Sequence, residues 1–451
     1  MPYPESPFIA NFNYNLITGL LSDQSEENDG KKISNSNENL GKTLNWLCSA
    51  PLSTSIRVNT LKSNNEDLME LIRDHFKKNS IGNSPTIYLH PLISNTIIIE
   101  NEPVDGKTFN TYEKEIIVDA QCASAVLRGA HIYAPGVLGM VSGCQVNDNV
   151  SIYADIWKKC KRGFHKVYNE SPKVFIGNGR VLLQRHQLFG EKAVTNGIAV
   201  EVKEILSGCY PIGEDIFPAG YGLLQNLPSI LTILALSPAP GDTVIDMCAS
   251  PGNKTTHIAE LMKNEGILVA IDKTPRKVEQ LKRRCDEFGA KVSIFQADST
   301  KILDLSSNNM RNVREGPPFA SETFDKVLLD APCSVLGKRP QLINRMSENE
   351  IKSFVPLQRK LFETAVQLLK PGGTLVYSTC TITLAENEGL VAWALRKFSQ
   401  IELIKPSLSL GGNGWSGTSL TTEEIDSVQR FGPDQTIDSV GFFFACFRKK
   451  I

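Results

Sequence analysis

After residue 240 the sequence alternates between strand-like and helix-like runs, and that alternation restricts the possible folds more than any other feature. "TVIDMCAS", "ILVAID", "KVSIFQAD", "KVLLDAP" and "GTLVYSTC" are short apolar segments, interleaved with helix-like stretches around 254–264, 275–288, 354–369 and 386–398. Such a chain builds an α/β fold, a doubly wound, mostly parallel sheet covered on both faces, with ligands bound at the carboxyl ends of its strands. "IELIK" and "GFFFACF" add a terminal antiparallel pair, and "PGG" at 371–373 marks where a helix stops and the next strand begins.

A chain of 451 residues exceeds what one core usually holds. Residues 1–110 read as a small α+β region containing "TSIRVNTLKSN", with a polar, disordered-looking segment at 22–39. From 111 to 208 short β-branched runs alternate with glycines, as in "GAHIYAPGV" and "KVFIGNGRVLL", the texture of a small barrel or sandwich. Residues 209–451 then form the doubly wound domain.

A net charge of −1 excludes an overall basic nucleic-acid binder, so any such contact needs a local patch. "WKKCKRGFHKVY" (157–168) is a candidate: five cations and a histidine among aromatics can grip phosphates and stack on bases, although a solvated loop is an equal reading of this segment alone. No apolar stretch approaches the roughly 20 residues of a membrane span, and the start lacks a signal-peptide pattern, so a cytoplasmic, membrane-free protein is expected. The 10 cysteines include no C-x-x-C pair, and no histidines cluster. No metal site is expected, and most thiols should simply be buried.

"VIDMCASPGNKTTHIAELM" is a strand, a small-residue turn and a helix. It fits neither the triphosphate loop nor the dinucleotide fingerprint. What remains is a turn where backbone approaches a ligand, made by Cys248, Ala249, Ser250, Pro251, Gly252, Asn253 and Lys254, followed by helix N-terminal amides. Asp272 lies 20 residues after Gly252, where an acid binds ribose hydroxyls, and Asp298 and Asp330 follow the next two strand-like runs. Without a phosphate-binding glycine motif, S-adenosyl-L-methionine is the more plausible adenosyl ligand. Asn253 stands where the triphosphate loop has its second glycine, and asparagine tolerates left-handed backbone well enough to preserve a turn.

Two of the apolar runs end in cysteine, Cys333 in "LLDAPCS" and Cys380 in "YSTCTIT". Together with "CASPGNK", "RVNTLK" and "LLQNLPS", these segments resemble the Sun-type RNA (cytosine-C5) methyltransferases. The resemblance covers nearly all of residues 40–451, and the segment with "AVLRGAHIYAPGV" and "VFIGNGR" is similar to an RNA-binding PUA domain, an arrangement found in a tRNA-modifying branch of that family. It implies a Rossmann-like class I methyltransferase domain, S-adenosyl-L-methionine as cofactor, and tRNA, held at the acceptor stem and 3′ CCA end, as partner, with no obligate protein partner evident. The chemistry needs thiols: C5 of cytosine becomes nucleophilic only after a thiolate adds at C6. By resemblance Cys380 is the nucleophile and Cys333 the later base or release group; DNA cytosine methyltransferases use the cysteine of a Pro-Cys pair, which keeps Cys333 as the rival nucleophile. Asp330 is placed to stabilise charge at N3 and Lys254 to orient both. Arg128, Tyr133, Lys161 and Arg162 are the expected RNA contacts. Where the family usually has Ser-Gly after this cysteine, Ser334-Val335 stands here, which stiffens the loop. An rRNA or mRNA methyltransferase, or a catalytically idle RNA-binding protein of the same fold, are the alternatives.

Overall fold

In the computed structural model, residues 42–78, 84–103, 107–169, 173–191, 196–304, 312–433, 435 and 437–451 are described. The polar segment 22–39 lies outside them. No helix among the described residues is long and apolar enough to cross a membrane.

The alternating region forms an eight-stranded sheet among the described residues. Across it the strands run Ser293–Gln296, Ile267–Asp272, Thr243–Asp246, Phe324–Asp330, Leu369–Thr379, Phe442–Lys449 and Ile401–Ile404, with Gln429–Phe431 paired at the side of Phe442–Lys449. The first five are parallel and the pair Phe442–Lys449 and Ile401–Ile404 is antiparallel, as the sequence pattern predicts. Strand order reverses at Thr243–Asp246, whose neighbours are Ile267–Asp272 and Phe324–Asp330, so a crevice opens beyond its carboxyl end. Two apolar layers sandwich the sheet: Ile245, Val327, Leu375 and Phe447 face one, Val244, Leu328, Val376 and Cys446 the other. This is the period-2 alternation of strands buried on both sides.

Helix boundaries differ from the pattern in one informative place. The helix expected at 354–369 is Glu348–Leu368, because Ser347 caps it: Ser347 Oγ accepts from the Glu350 amide while Glu350 accepts from the Ser347 amide at 2.7 Å. It also ends before "PGG", since Leu369 already pairs with Phe324 and the strand continues through those residues.

The N-terminal unit is a four-stranded antiparallel sheet, ordered Gly222–Leu224, Ser53–Val58, Thr96–Glu100, Ile87–Leu89, with the helix Asn65–Lys78 packed against it. Its strand Gly222–Leu224 comes from beyond residue 208, so the segment between is inserted into this unit rather than following it. That insertion carries a six-stranded sheet ordered Ile132–Tyr133, Ile198–Ile205, Lys173–Val181, Asn149–Asp155, Glu115–Asp119, Val137–Met140. Its two edge strands are joined through the single turn Ala134–Gly136, so the sheet curls until they meet.

Buried ion pairs fasten the loops over the crevice. Arg57 reaches from the N-terminal sheet to Glu260, to Gln225 Oε1 at 2.9 Å and to Thr256 Oγ1 at 2.9 Å, gripping the helix Asn253–Leu261. Arg430 and Glu388 are wholly buried, joined at 2.7 and 2.5 Å, and Arg430 also donates to the Ile382 carbonyl at 3.0 Å, pinning the turn after Cys380. Removing one partner of such a pair strands the other charge. Arg430→Met is therefore expected to lower stability by about 3–5 kcal/mol, with Arg430→Met/Glu388→Leu recovering most of the loss; urea unfolding of both variants checks this, and an equal loss in the double variant would contradict it.

Candidate active site

The site begins with strand register. Phe324–Asp330 and Leu369–Thr379 are adjacent and parallel with Asp330 opposite Ser378, and Ser378 Oγ donates to Asp330 Oδ1 at 2.6 Å. Their exit loops leave from the same end of the sheet side by side, so Cys333 and Cys380, 47 residues apart in sequence, meet with Sγ atoms 3.4 Å apart. Cys333 is buried, while Cys380 is half-buried. Backbone fixes the contact: the Gly337 amide donates to the Cys380 carbonyl at 3.0 Å.

The environment separates the two thiols. Cys380 is drawn below the ordinary thiol range by the hydrogen bond from Cys333, with the charge of Lys254 adding to it against burial and Asp330. Cys333 is pushed well up, first as the donor in that hydrogen bond, then by burial, then by the charge on Cys380 and lastly by that of Glu386. Lys254 Nζ donates to Asp330 Oδ2 at 2.8 Å and lies 5.3 Å from the Phe442 ring centroid. Sulfur, carboxylate and ammonium thus form one cluster at neighbouring strand ends, the four residues expected from sequence.

The loop Cys248–Gly252 joins Thr243–Asp246 to the helix Asn253–Leu261. The left-handed residue is Gly252, with φ +108°, and Asn253 is already helical, so the expectation that Asn253 takes that conformation is corrected. The Ser250 amide donates to Asp272 Oδ2 at 3.2 Å, tying the loop to the next strand end. Asp298 pairs with Lys273 at 2.9 Å and is held at about 2, by the Thr300 hydroxyl first and Lys273 next. Burial pushes the Cys248 thiol well up, a packing group rather than a nucleophile. Asp246 Oδ1 and Asn253 Oδ1 are buried beside this loop without a hydrogen-bond partner. Two vacant acceptors next to an acid-lined crevice suit a ligand with an ammonium group and a ribose diol, so the residues fit S-adenosyl-L-methionine: Asp246 and Asn253 for the ammonium, Asp272 and Asp298 for the adenosyl side. Burial raises the Asp246 carboxyl to about 7.

The expected RNA contacts all sit on or beside the inserted sheet, in unequal states. Tyr133 is 51% exposed and Lys161 is exposed. Arg162 is committed in part to structure, donating to the Pro135 and Val137 carbonyls at 3.0 Å each, which keeps Lys161 next to the Tyr133 turn. Arg128 is half-buried, its Nη1 buried without a partner, in the field of Cys209 and Lys338.

Three functional side chains escaped the sequence reading. Lys338, whose ammonium is lowered by burial and then by Arg128, lies within the field of Cys380; "GKRP" so soon after Cys333 was the available signal. Arg57, in "RVNTLK", and Glu386, in "AENE", are buried charges whose partners lie far away in sequence or on another loop, which no local pattern shows. Val335 has φ +56°, a left-handed conformation that a β-branched residue disfavours by about 1–2 kcal/mol.

A family profile described as 16S rRNA methyltransferase RsmB/F matches residues 233–448. The chain is 41% identical over 433 residues, 90% of its own length and 90% of the relative's, to human tRNA (cytosine(72)-C(5))-methyltransferase NSUN6, and 41% identical over 390 residues, 86% and 80% of the two lengths, to the mouse protein of the same name. A tRNA (cytosine(72)-C(5))-methyltransferase of Pyrococcus horikoshii is 32% identical over 87% of this chain and 88% of the relative. The crystal structure of NSun6 from Pyrococcus horikoshii with SFG is similar at a TM-score of 0.72 and 30% identity, over 93% of this chain and 97% of that one.

The Asp246 carboxyl gives the cofactor site a pH signature. Only its ionised form attracts a cation, and it loses its proton through about 7, so S-adenosyl-L-methionine affinity is expected to weaken as pH falls below that value, by up to about tenfold per unit. Isothermal titration across that range should show the slope in the natural protein and a weaker, flat response in Asp246→Asn; a flat natural profile would contradict the assignment.

Proposed function

Since the chain belongs to the Sun family of RNA (cytosine-C5) methyltransferases, which take their methyl group from S-adenosyl-L-methionine, we propose that it methylates a cytosine near the 3′ acceptor end of tRNA through a covalent bond between Cys380 and C6 of the ring. The observation that carries this reading is the sulfur pair at 3.4 Å beside the Lys254–Asp330 pair at 2.8 Å.

The steps follow from the groups present. Cys380, the more accessible sulfur and the one drawn toward thiolate, adds to C6, and the electron pair released makes C5 nucleophilic. Negative charge accumulates toward N3, where Asp330 faces the ring and the Lys254 ammonium, already hydrogen-bonded to Asp330, supplies the neutralising proton through it. Bound S-adenosyl-L-methionine supplies an electrophilic methyl group for C5. Cys333 then passes its own proton to the departing Cys380 sulfur as it takes the proton from C5, N3 returns its proton through Asp330 to Lys254, the C5–C6 double bond re-forms, and the Cys380–C6 bond breaks with its electrons on sulfur. The 3.4 Å contact keeps both sulfurs at one base.

A paired cytosine must leave its stack to reach this site, which costs a few kcal/mol. The inserted region, residues 111–208, acts as a PUA-type barrel that offsets this cost by gripping the single-stranded end. Tyr133 offers a stacking face, Lys161 an exposed charge, Arg162 the remainder of its guanidinium, and Arg128 with Lys338 a basic path toward Cys380. The cytoplasm is the expected setting, and the relatives named for tRNA cytosine 72 supply the substrate class.

Two assays test the reading. Methylation of tRNA transcripts with and without the terminal CCA, followed by 5-methylcytosine mapping, should show transfer at an acceptor-stem cytosine only when the end is intact; CCA-independent transfer, or transfer to rRNA alone, would refute the substrate. Cys380→Ala should bind RNA without methylating it, whereas Cys333→Ala should accumulate a protein–RNA adduct that survives denaturing electrophoresis; the reverse pattern would exchange the two roles.

A further inference from the structure

Glu386 is 1% exposed, lies behind the two thiols, and has no ion-pair partner among the described residues. Four donors converge on it. Ser334 Oγ and Thr383 Oγ1 lie 2.6 and 2.9 Å from Oε1, and the Ser334 amide and Gln358 Nε2 lie 3.0 and 2.9 Å from Oε2. Two donors on each oxygen match the four lone-pair sites of a carboxylate. Gln358 Nε2 also donates to the Pro332 carbonyl at 2.9 Å, so the backbone on both sides of Cys333 is held by this one network. Ser334 Oγ continues to Thr381 Oγ1 at 2.7 Å, beside Cys380. Glu386 therefore ties the two cysteine loops together, and its charge lies nearer the Cys333 loop, while the Lys254 charge acts on Cys380.

We propose that Glu386 is a positioning residue whose fixed negative charge decides which of the two sulfurs keeps the proton, holding Cys333 as the thiol and leaving Cys380 as the thiolate. A symmetric pair of thiols 3.4 Å apart would share one proton without preference, and half of the encounters would present the wrong nucleophile. The other groups facing the pair are Lys254 and Asp330 on the crevice side, Lys338 on the loop after Cys333, and Tyr377, whose hydroxyl donates to the Glu386 carbonyl at 2.7 Å. Of these, Glu386 is the charge lodged behind Cys333 rather than in the crevice, so it adds to the bias that Lys254 sets from the crevice side, and both act before any RNA arrives.

The inference rests on the two-thiol reading above, but its test uses no methyl transfer and fails separately from it. Full-length protein is treated with substoichiometric iodoacetamide near neutral pH, and the split of label between the Cys333 and Cys380 peptides is measured by mass spectrometry. Natural protein should label Cys380 in excess. Glu386→Gln, which removes the charge, should shift the split toward Cys333 by about tenfold, the equivalent of one unit of differential proton affinity. Glu386→Asp, which keeps the charge, and Gln358→Leu, which loosens the same loop with the charge in place, should both retain the Cys380 preference. An unchanged split in Glu386→Gln overturns the proposal, and so does loss of preference in Gln358→Leu, which would make loop geometry the cause. Cofactor binding verifies that each variant is folded; should Glu386→Gln fail that check, the Asp and Leu variants decide, because a preference lost in either with the charge present is contradictory and a preference kept in both is the expected result.

Discussion

The parallel pairing of Phe324–Asp330 with Leu369–Thr379 underlies everything at the site. With Asp330 opposite Ser378, the two strands leave the sheet in step and their exit loops lie against each other. A slip of one residue would turn each side chain to the other face and part the sulfurs. The apolar layers on both faces prevent that slip, because Val327, Leu328, Leu375 and Val376 are all fully buried and each must keep its side. Core packing thus sets a distance between two reactive atoms without any covalent bond between them.

Around that contact the charges are arranged in two tiers. Lys254 and Asp330 face the crevice; Glu386, Glu388 and Arg430 lie behind the loops, where they fix backbone and field. Arg57 extends the second tier to the N-terminal sheet by holding Thr256 and the Asn253 carbonyl, so the helix that carries Lys254 is positioned from outside its own domain. Insertion of the six-stranded sheet between Thr96–Glu100 and Gly222–Leu224 then brings Arg128 near Lys338 without lengthening the catalytic domain.

Much of this was legible in the sequence. The alternation after residue 240 announced the sheet, and the motifs around Lys254, Asp330, Cys333 and Cys380 announced the cluster, because each of these side chains sits at a strand end where chain texture changes. Less was legible where partners come from afar. Glu386 resembles an ordinary acidic helix start until Ser334 and Gln358 are seen to donate to it. Arg162 reads as a free cation until its donors are found on two carbonyls. Asn253 seemed to be the residue bearing the turn, but Gly252 already supplied the left-handed backbone and the helix began at once. In each case a local signal was present and its meaning was set by a long-range contact.

The most direct test of the account is to identify the sulfur that bonds the base. Incubation with a tRNA transcript carrying 5-fluorocytidine, whose fluorine blocks departure of the C5 substituent, traps the covalent intermediate, and nuclease and protease digestion followed by mass spectrometry locates the modified peptide. The account predicts a nucleotide–methyl adduct on Cys380 and an unmodified Cys333. An adduct on Cys333, or none on either thiol from a protein that methylates the unsubstituted transcript, would contradict it.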